Sequence, residues 1–113
     1  MKLIIAGGRG YRASDRDLDM LSGIDIDEVV SGGANGADTF GEAYARMWGL
    51  RLKVMRADWR GWGRAAGPRR NRLMAQYADG VLLLPGGIGT RSMWSEAVIA
   101  GIRIFDPYDQ FVF

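Results

Sequence analysis

The feature that most constrains this fold is the 24-residue run 67–90, GPRRNRLMAQYADGVLLLPGGIGT. It joins an arginine-rich segment, a short apolar run and a glycine-rich turn. Val81 to Leu84 is apolar throughout, which is typical of a strand covered on both faces of a sheet. The turn from Pro85 to Thr90 contains three glycines. Because glycines leave backbone N–H groups accessible and a helix N-terminus adds positive potential, this turn is a candidate phosphate site.

The order of strand, glycine turn and helix recurs along the chain. The pattern predicts strands at 3–6, 28–31, 52–55, 81–84 and 103–105, and helices after Ser14 and at 37–48, 68–77 and 90–100, with a long loop at 56–67. This alternation predicts one α/β domain over residues 1–113, Rossmann-like and three-layered, with a parallel sheet of about five strands covered by helices. The glycine turns that follow the strands should converge on one crevice.

Composition excludes several kinds of chemistry. The chain has no cysteine and no histidine, which removes disulfides, thiol catalysis, the commonest general base and the commonest transition-metal ligand. No apolar run has the length of a membrane span, and the first residues resemble a strand more than a signal peptide. We therefore expect a cytoplasmic protein with no membrane partner, no cofactor and no metal. Asp25, Asp27 and Glu28 lack the spacing of a calcium loop and are expected to be surface acids.

Basic charge is concentrated in one part of the chain. The formal net charge is only +2, but 13 of the 15 basic residues are arginine. Eight basic residues lie between Arg51 and Arg72, against the single acid Asp58. Arginine suits bidentate binding of phosphate or carboxylate, so this segment is a candidate anion-binding region. The alternative is a solvated helix face with salt bridges.

Two common nucleotide-binding motifs are incomplete. Residues 8–13 match the loose form G-x-G-x-x-A, but Ser31 and two glycines stand where a ribose-binding acid is expected. This argues against a nicotinamide-dependent dehydrogenase. No glycine turn continues into the Lys-Ser/Thr of a Walker A loop.

Several aromatic and apolar residues are assigned by their helical spacing or their loop context. Phe40, Tyr44 and Met47 share one face of the helix predicted at 37–48, and Trp48 at its end is expected in the core. Leu18 and Leu21 are expected to face the core from the first helix. Trp59 and Trp62 lie among glycines and arginines, where stacking on a bound ligand is expected instead.

Asp38 has two interpretations from its position in the segment 31–38, SGGANGAD. As a residue of the first helical turn, it can match the helix dipole or cap the helix. It can equally accept a hydrogen bond from a ribose hydroxyl or from the loop itself. Both interpretations stay open at this point.

Five ordered motifs resemble a known family, the YspA-like branch of the SLOG superfamily. The motifs are AGGR at 6–9, SGGANGAD at 31–38, ADW at 57–59, AAGPRRN at 65–71 and PGGIGT at 85–90. The same superfamily includes the Lonely Guy phosphoribohydrolases and the fold of DNA-processing protein A. The resemblance implies a Rossmann-like domain that binds nucleotides or ligands derived from them.

The resemblance to Lonely Guy enzymes also bears on catalysis. Those enzymes cleave the N-glycosidic bond of a nucleoside monophosphate, and their pattern has an arginine, a following Met and a PGGxGTxxE turn. Arg70 and Met74 match the first part, and residues 85–90 match the start of the second. Met93 stands where the catalytic Glu belongs, and Glu96 lies about one helical turn further on. Arg70 and Glu96 are therefore the candidate catalytic pair.

The leading hypothesis is a binding protein for a nucleotide-derived small molecule, acting as a sensor, carrier or sequestering protein. Its candidate ligand-binding residues are Gly7, Gly8, Arg9, Gly32, Gly33, Asp38, Trp59, Arg69, Arg70, Asn71, Gly86, Gly87, Gly89 and Thr90. The first alternative is an N-glycosidase or phosphoribohydrolase acting on nucleoside monophosphates. The second is single-stranded nucleic-acid binding through Arg56, Arg60, Arg64, Arg69 and Arg72, with Trp59 and Trp62 stacking on bases.

The last helix and the C-terminal segment suggest self-association. The helix carries Met93, Trp94, Val98 and Ile99, and the chain ends in Phe111, Val112 and Phe113. A small domain has difficulty covering all of these groups, and exposed apolar patches commonly mark interfaces. We expect a homodimer or higher oligomer that buries Trp94 or the segment 111–113. The alternative is that this segment folds back on its own domain.

Overall fold

The computed structural model describes residues 1–34 and 36–111, which form one α/β domain around a five-stranded sheet. Every neighbouring pair of strands is parallel, and the spatial order is β3-β2-β1-β4-β5. The prediction of a parallel sheet of about five strands is therefore confirmed. The strands are β1 (Lys2–Ala6), β2 (Glu28–Ser31), β3 (Arg51–Val54), β4 (Gly80–Leu83) and β5 (Arg103–Phe105).

Four longer helices and one short helix connect the strands. They are α1 (Asp15–Ser22), α2 (Ala37–Trp48), α3 (Trp59–Trp62), α4 (Ala66–Tyr77) and α5 (Ile88–Ala100). The prediction of a long loop over 56–67 holds only for residues 56–58, because α3, a 3₁₀ turn at Gly63–Ala65 and the start of α4 lie within the rest. Asp58 starts α3 by accepting the Gly61 N–H at 3.0 Å. No helix in the described ranges is both long and apolar enough to cross a bilayer.

Side chains of the central strands alternate between two cores, which gives the three-layer arrangement. Ile4 packs into one core with residues of α4 and α5, whereas Leu3 and Ile5 pack into the other with residues of α1 and α2. All three side chains are at most 1% exposed. The apolar strands are thus covered on both faces, as parallel strands require.

Small residues let α2 approach the sheet closely, and this overturns part of the predicted core. The buried residues of α2 are Ala37, Gly41 and Ala45. A Cβ added at Gly41 would lie 3.2 Å from the Cβ of Ile5. Because the small residues occupy the contact, Met47 and Trp48 are 73% and 64% exposed. The prediction that Trp48 belongs to the core is wrong.

The first helix begins as predicted, with Ser14 at its N-cap. The Ser14 backbone N–H donates to Asp17 Oδ2 at 2.9 Å. Leu21 is fully buried, but Leu18 is 39% exposed, so only one of the two predicted core leucines lies in the core. The acid Asp17 is itself 1% exposed.

Asp17 ties the C-terminal segment to the first helix. Its two carboxylate oxygens accept the hydroxyls of Tyr11 and Tyr108, each at 2.5 Å. Burial raises the pKa of Asp17, but the hydrogen bonds from both tyrosines and from Ser14 outweigh that effect and leave the pKa below its ordinary value. The carboxylate is therefore charged at neutral pH, and it stabilises the position of residue 108 beside α1.

Farther along the same segment, Phe111 stacks on Trp94 of α5, with ring centroids 5.1 Å apart and planes at 14°. Trp94 thus has a ring partner within its own chain, as the fold-back alternative requires. Val112 and Phe113, the rest of the predicted interface segment, lie outside the described residues.

Glu28 is a buried residue, not the surface acid that the sequence suggested. It is 9% exposed, and its carboxylate accepts the hydroxyl of Tyr77 at the end of α4. This hydrogen bond raises the pKa of Tyr77. The strand β2 is short and buried at every position, so an acid at its start has to be paired within the protein.

Candidate functional site

The three glycine turns meet at the carboxyl end of β1. This strand lies between β2 and β4, so the turns that follow all three strands are neighbours. The Gly8 N–H donates to the Pro85 carbonyl at 2.9 Å, and the Gly8 carbonyl accepts the Ala37 N–H at 3.3 Å. Backbone hydrogen bonds therefore join the β1 turn to the β4 turn and to the start of α2.

The close approach of these turns requires glycine. A Cβ at Gly7 would lie 2.8 Å from the Cβ of Ala37. Gly36 has φ +74°, and a Cβ there would overlap the Gly8 carbonyl oxygen. A Cβ at Gly86 would overlap Thr90 Oγ1 and lie 2.7 Å from the Gly8 nitrogen. Side chains at these positions would force the turns apart.

A cavity of about 470 Å³ opens where the turns meet. Eleven of the residues predicted from sequence line it: Gly7, Gly8, Arg9, Gly32, Asp38, Trp59, Arg70, Asn71, Gly87, Gly89 and Thr90. The lining also includes residues outside the list of candidate ligand-binding residues, namely Ala6, Ala34, Arg64, Gly67, Pro68, Met74, Ile88, Ser92 and Met93. The volume falls within the range of small-molecule sites in proteins.

The remaining predicted residues lie around this cavity. Gly33 lines a second cavity of about 340 Å³. Gly86 lies in the β4 turn, and its N–H donates to the Gln110 side chain at 3.2 Å. The Arg69 guanidinium lies 3.8 Å from the centre of the Trp62 ring. Neither Gly86 nor Arg69 is among the residues that line the two cavities.

Glu96, the second candidate catalytic residue, does not share a cavity wall with Arg70. Its Oε2 accepts from Arg72 Nε at 3.4 Å, and it does not line either cavity described above. Met93 occupies the corresponding wall of the larger cavity and is 2% exposed. The carboxylate that does line the larger cavity is that of Asp38.

Two hydrogen bonds hold the Arg70 side chain, one to the β2 turn and one to the next residue of α4. Its Nη1 donates to the Gly32 carbonyl at 2.7 Å, and its Nε donates to Asn71 Oδ1 at 2.9 Å. Burial lowers the pKa of Arg70, the charge of Asp38 raises it, and the nearby charge of Arg9 lowers it again. The guanidinium is thus fixed in place with another cation close by.

Asp38 bonds to its own loop. Its Oδ2 accepts the Ala34 N–H at 3.0 Å. Burial raises the pKa of Asp38, while hydrogen bonds from the Ala34 and Gly32 backbone and the charge of Arg70 act in the opposite direction; the pKa lies above its ordinary value. Of the two roles left open by the sequence, the hydrogen bond to the loop is present.

Thr90 brings a buried hydroxyl to the start of α5. The residue is 3% exposed, and within the described residues its Oγ1 has no hydrogen-bond partner. The first helical hydrogen bond is donated by Arg91 to the Gly87 carbonyl, so the preceding N–H groups of α5 are outside the helical ladder. Asn71 holds this turn from α4, donating to the Gly89 carbonyl at 3.4 Å and to Ser92 Oγ at 3.1 Å.

Gln110 is a structural residue of the site that no sequence motif indicated. Its side chain accepts the Gly86 N–H and donates to the Leu84 carbonyl at 3.1 Å, so it fixes the β4 turn from the C-terminal segment. A lone glutamine far along the chain carries no motif. Arg56 and Arg64, in contrast, belong to the arginine-rich stretch that already indicated anion binding.

Comparison with known proteins places the chain in a phage protein family. The sequence is 40% identical over 92 residues to the "Gene 61 protein" of Mycobacterium phage D29, covering 73% of this chain and 72% of that protein. The chain belongs to the family of that phage protein. No protein-family model matches the chain. The name of this relative states no activity, so the chemistry of the cavity is the basis for the function proposed below.

The packing of the turns predicts that Gly86→Ala destabilises the protein by about 1–3 kcal/mol, because the new methyl group would overlap Thr90 and press on Gly8. Gly87→Ala is the matched control, since a Cβ there meets nothing within 4 Å. Urea unfolding of both variants measures the difference. Equal stabilities would show that the turns are not packed as described.

Proposed function

We propose that this chain binds a nucleotide or nucleotide-derived small molecule, with a phosphate seated against the start of α5 and Arg70. The ribose and base would extend toward Asp38 and Trp59. The observation that carries the proposal is the buried hydroxyl of Thr90, a residue that lines the cavity, because this hydroxyl has no partner in the described chain. A role as sensor, carrier or sequestering protein would follow from binding without catalysis.

The unpaired hydroxyl supports a bound acceptor. A buried hydroxyl without a hydrogen bond costs about 1–3 kcal/mol, so native proteins rarely leave one unpaired. Thr90 lies in the first turn of α5, beside backbone N–H groups that also point out of the helical ladder. A phosphate oxygen at this place would accept from both kinds of donor.

The charges around the cavity support an anionic ligand. Arg9, Arg64 and Arg70 line its wall, against the single carboxylate of Asp38. The N-terminal end of α5 adds partial positive charge. Arginine is also the side chain best suited to bidentate phosphate recognition.

Trp59 supports an aromatic or sugar group in the ligand. It lines both cavities and remains 52% exposed. Its ring packs near Gly67, where an added Cβ would lie 3.2 Å from Cη2 of the indole. A planar base placed against an indole that is already held on one side gains stacking energy.

Binding is favoured over N-glycosidic hydrolysis by the placement of the carboxylates. The hydrolase mechanism needs an acid at the position of Met93 or close to it. Glu96 is instead paired with Arg72 and does not line the cavity. Nucleic-acid binding is disfavoured because two of its candidate arginines already have partners within the protein. Arg69 lies over the Trp62 ring, and Arg72 is paired with Glu96.

We also propose that the chain is a YspA-like member of the SLOG superfamily. The motifs that carry the resemblance lie around the cavity: the AGGR and PGGIGT turns and the arginine segment that contains Arg70 all contribute lining residues. The order of the strands, with β1 central, accounts for why motifs far apart in sequence meet there.

The proposal predicts that AMP, ADP-ribose, NAD or a cyclic nucleotide stabilises the protein at millimolar concentration, by mass action on the folded state. Arg70→Ala should weaken that binding by about 2–5 kcal/mol, because a desolvated charge pair with phosphate is lost. Arg72→Ala, on the same helix but paired with Glu96, is the control and should leave affinity unchanged. Thermal shift and calorimetry measure both, and no stabilisation by any of these ligands would contradict the proposal.

Thr90→Val separates ligand binding from stability. Replacing the unpaired hydroxyl by a methyl group should raise the free energy of unfolding of the ligand-free protein by about 1 kcal/mol while weakening nucleotide binding at least fivefold. The control is Thr39→Val, at the chain's other threonine, whose hydroxyl donates to the Ala34 carbonyl at 3.3 Å. If the Thr90→Val protein loses stability and binds nucleotide as before, the hydroxyl is not part of the binding site.

We further propose a homodimer or higher oligomer formed through the outer face of α5. Trp94 is stacked by Phe111, but Val98 and Ile99 are 52% and 76% exposed. Closed pairing is the common way to cover such residues. Light scattering at micromolar concentration should therefore give a mass above 12.4 kDa, and Ile99→Asp should lower it. A monomer mass for the unmodified chain would contradict the proposal.

A further inference from the structure

The second cavity adjoins the first and is bounded by arginines. Arg9, Gly32, Ala34, Trp59 and Arg70 line both cavities, so one ligand of sufficient length would occupy the two together. Gly33, Arg56 and Ala57 line the second cavity alone. The two cavities have volumes of about 470 and 340 Å³. Residues at the start of α5 line only the larger cavity, and Arg56 lines only the smaller one.

The adjacent glycines of the β2 turn each accommodate one guanidinium. Arg70 crosses Gly32, where an added Cβ would lie 2.8 Å from Arg70 Cζ, and donates to the Gly32 carbonyl. Arg56 crosses Gly33, where an added Cβ would lie 2.6 Å from Arg56 Nη1, and donates to the Gly33 carbonyl at 2.9 Å. Each arginine donates one hydrogen bond to the turn, and its other N–H groups include donors that could bind a further acceptor.

The positive charge along the two cavities exceeds what the protein neutralises. Four arginines line them, Arg9, Arg56, Arg64 and Arg70, against the one carboxylate of Asp38. In residues 1–34 and 36–111, no ion pair joins any of these arginines to an acid within 4.0 Å. Like charges held close together destabilise a folded protein unless an anion lies between them.

From this arrangement we propose that the ligand carries two phosphate groups, one at the start of α5 and Arg70 and the other in the second cavity between Arg9 and Arg56. The inference rests on the nucleotide-binding function proposed above and narrows its ligand class. Two chemistries share this feature: a nucleoside with phosphates on two hydroxyls, and two nucleosides or a nucleoside and a sugar joined by a diphosphate.

Calorimetry with three probes tests the inference: AMP, adenosine 3′,5′-bisphosphate and NAD. At least one of the two-phosphate probes should bind about tenfold more tightly than AMP, which corresponds to about 1.4 kcal/mol. Which of them does so distinguishes the two chemistries. If adenosine 3′,5′-bisphosphate is the preferred probe, its affinity should also fall more steeply with added salt than that of AMP, because its second phosphomonoester adds negative charge for the arginines to neutralise.

Arg56→Ala should abolish the preference for a two-phosphate probe over AMP, because Arg56 is proposed to contact only the second phosphate. The affinity for AMP should stay within about twofold. Arg60→Ala is the matched control: it removes an exposed arginine from the neighbouring helix α3, does not line either cavity, and should keep the preference. Arg56→Gln provides a second variant that retains hydrogen-bonding capacity without the charge. Circular dichroism establishes that all three variants fold.

The possible outcomes separate a failure of the two-phosphate inference from a failure of the proposed nucleotide-binding function. Equal affinity of the unmodified protein for AMP and for both two-phosphate probes would overturn this inference and leave the proposed function standing. A preference that survives Arg56→Ala would likewise overturn it. Binding of none of the probes at millimolar concentration would overturn the proposed function and this inference together.

Discussion

The position of β1 in the sheet is the constraint on which the rest of the structure depends. Because β1 lies between β2 and β4, the turns that follow these strands must share a small volume at one edge of the sheet. They fit only where backbones approach without side chains, as at Gly7, Gly36 and Gly86. The hydrogen bond from Gly8 to Pro85 then joins the turns. The cavity is the space that this packing leaves open.

The same glycines have an electrostatic consequence. By leaving the surface of the β2 turn bare, Gly32 and Gly33 let Arg70 and Arg56 lie across the backbone and donate to its carbonyls. Two cations are thereby held by short hydrogen bonds, where flexible side chains would otherwise move apart in solvent. Arg9 lies close enough to Arg70 to lower the pKa of that guanidinium, and an anion between the two would offset their repulsion.

Much of the fold was predictable because local signals and tertiary packing agree. The apolar runs around Ile4, Val30 and Leu83 are buried strands, as their sequence indicated, and Ser14 starts α1. Eleven of the residues predicted for the site line the cavity, and most of them lie in the glycine turns of three neighbouring parallel strands, which share one edge of the sheet. The helix α3 was missed because residues 56–67 are rich in glycine, and only the Asp58 cap and its packing against α4 stabilise a turn there.

The sequence by itself determined the strand–helix alternation, the parallel sheet and the glycine turns that form the cavity, because each depends on apolar periodicity or on backbone freedom within a short segment. Tertiary structure alone decided which large side chains are buried: the small residues of α2 contact the sheet, so Trp48 lies outside. It also decided that Glu96 pairs with Arg72, that Gln110 holds the β4 turn and that the buried hydroxyl of Thr90 has no partner in the described chain. Those features depend on contacts between segments far apart in the chain, which no local pattern encodes.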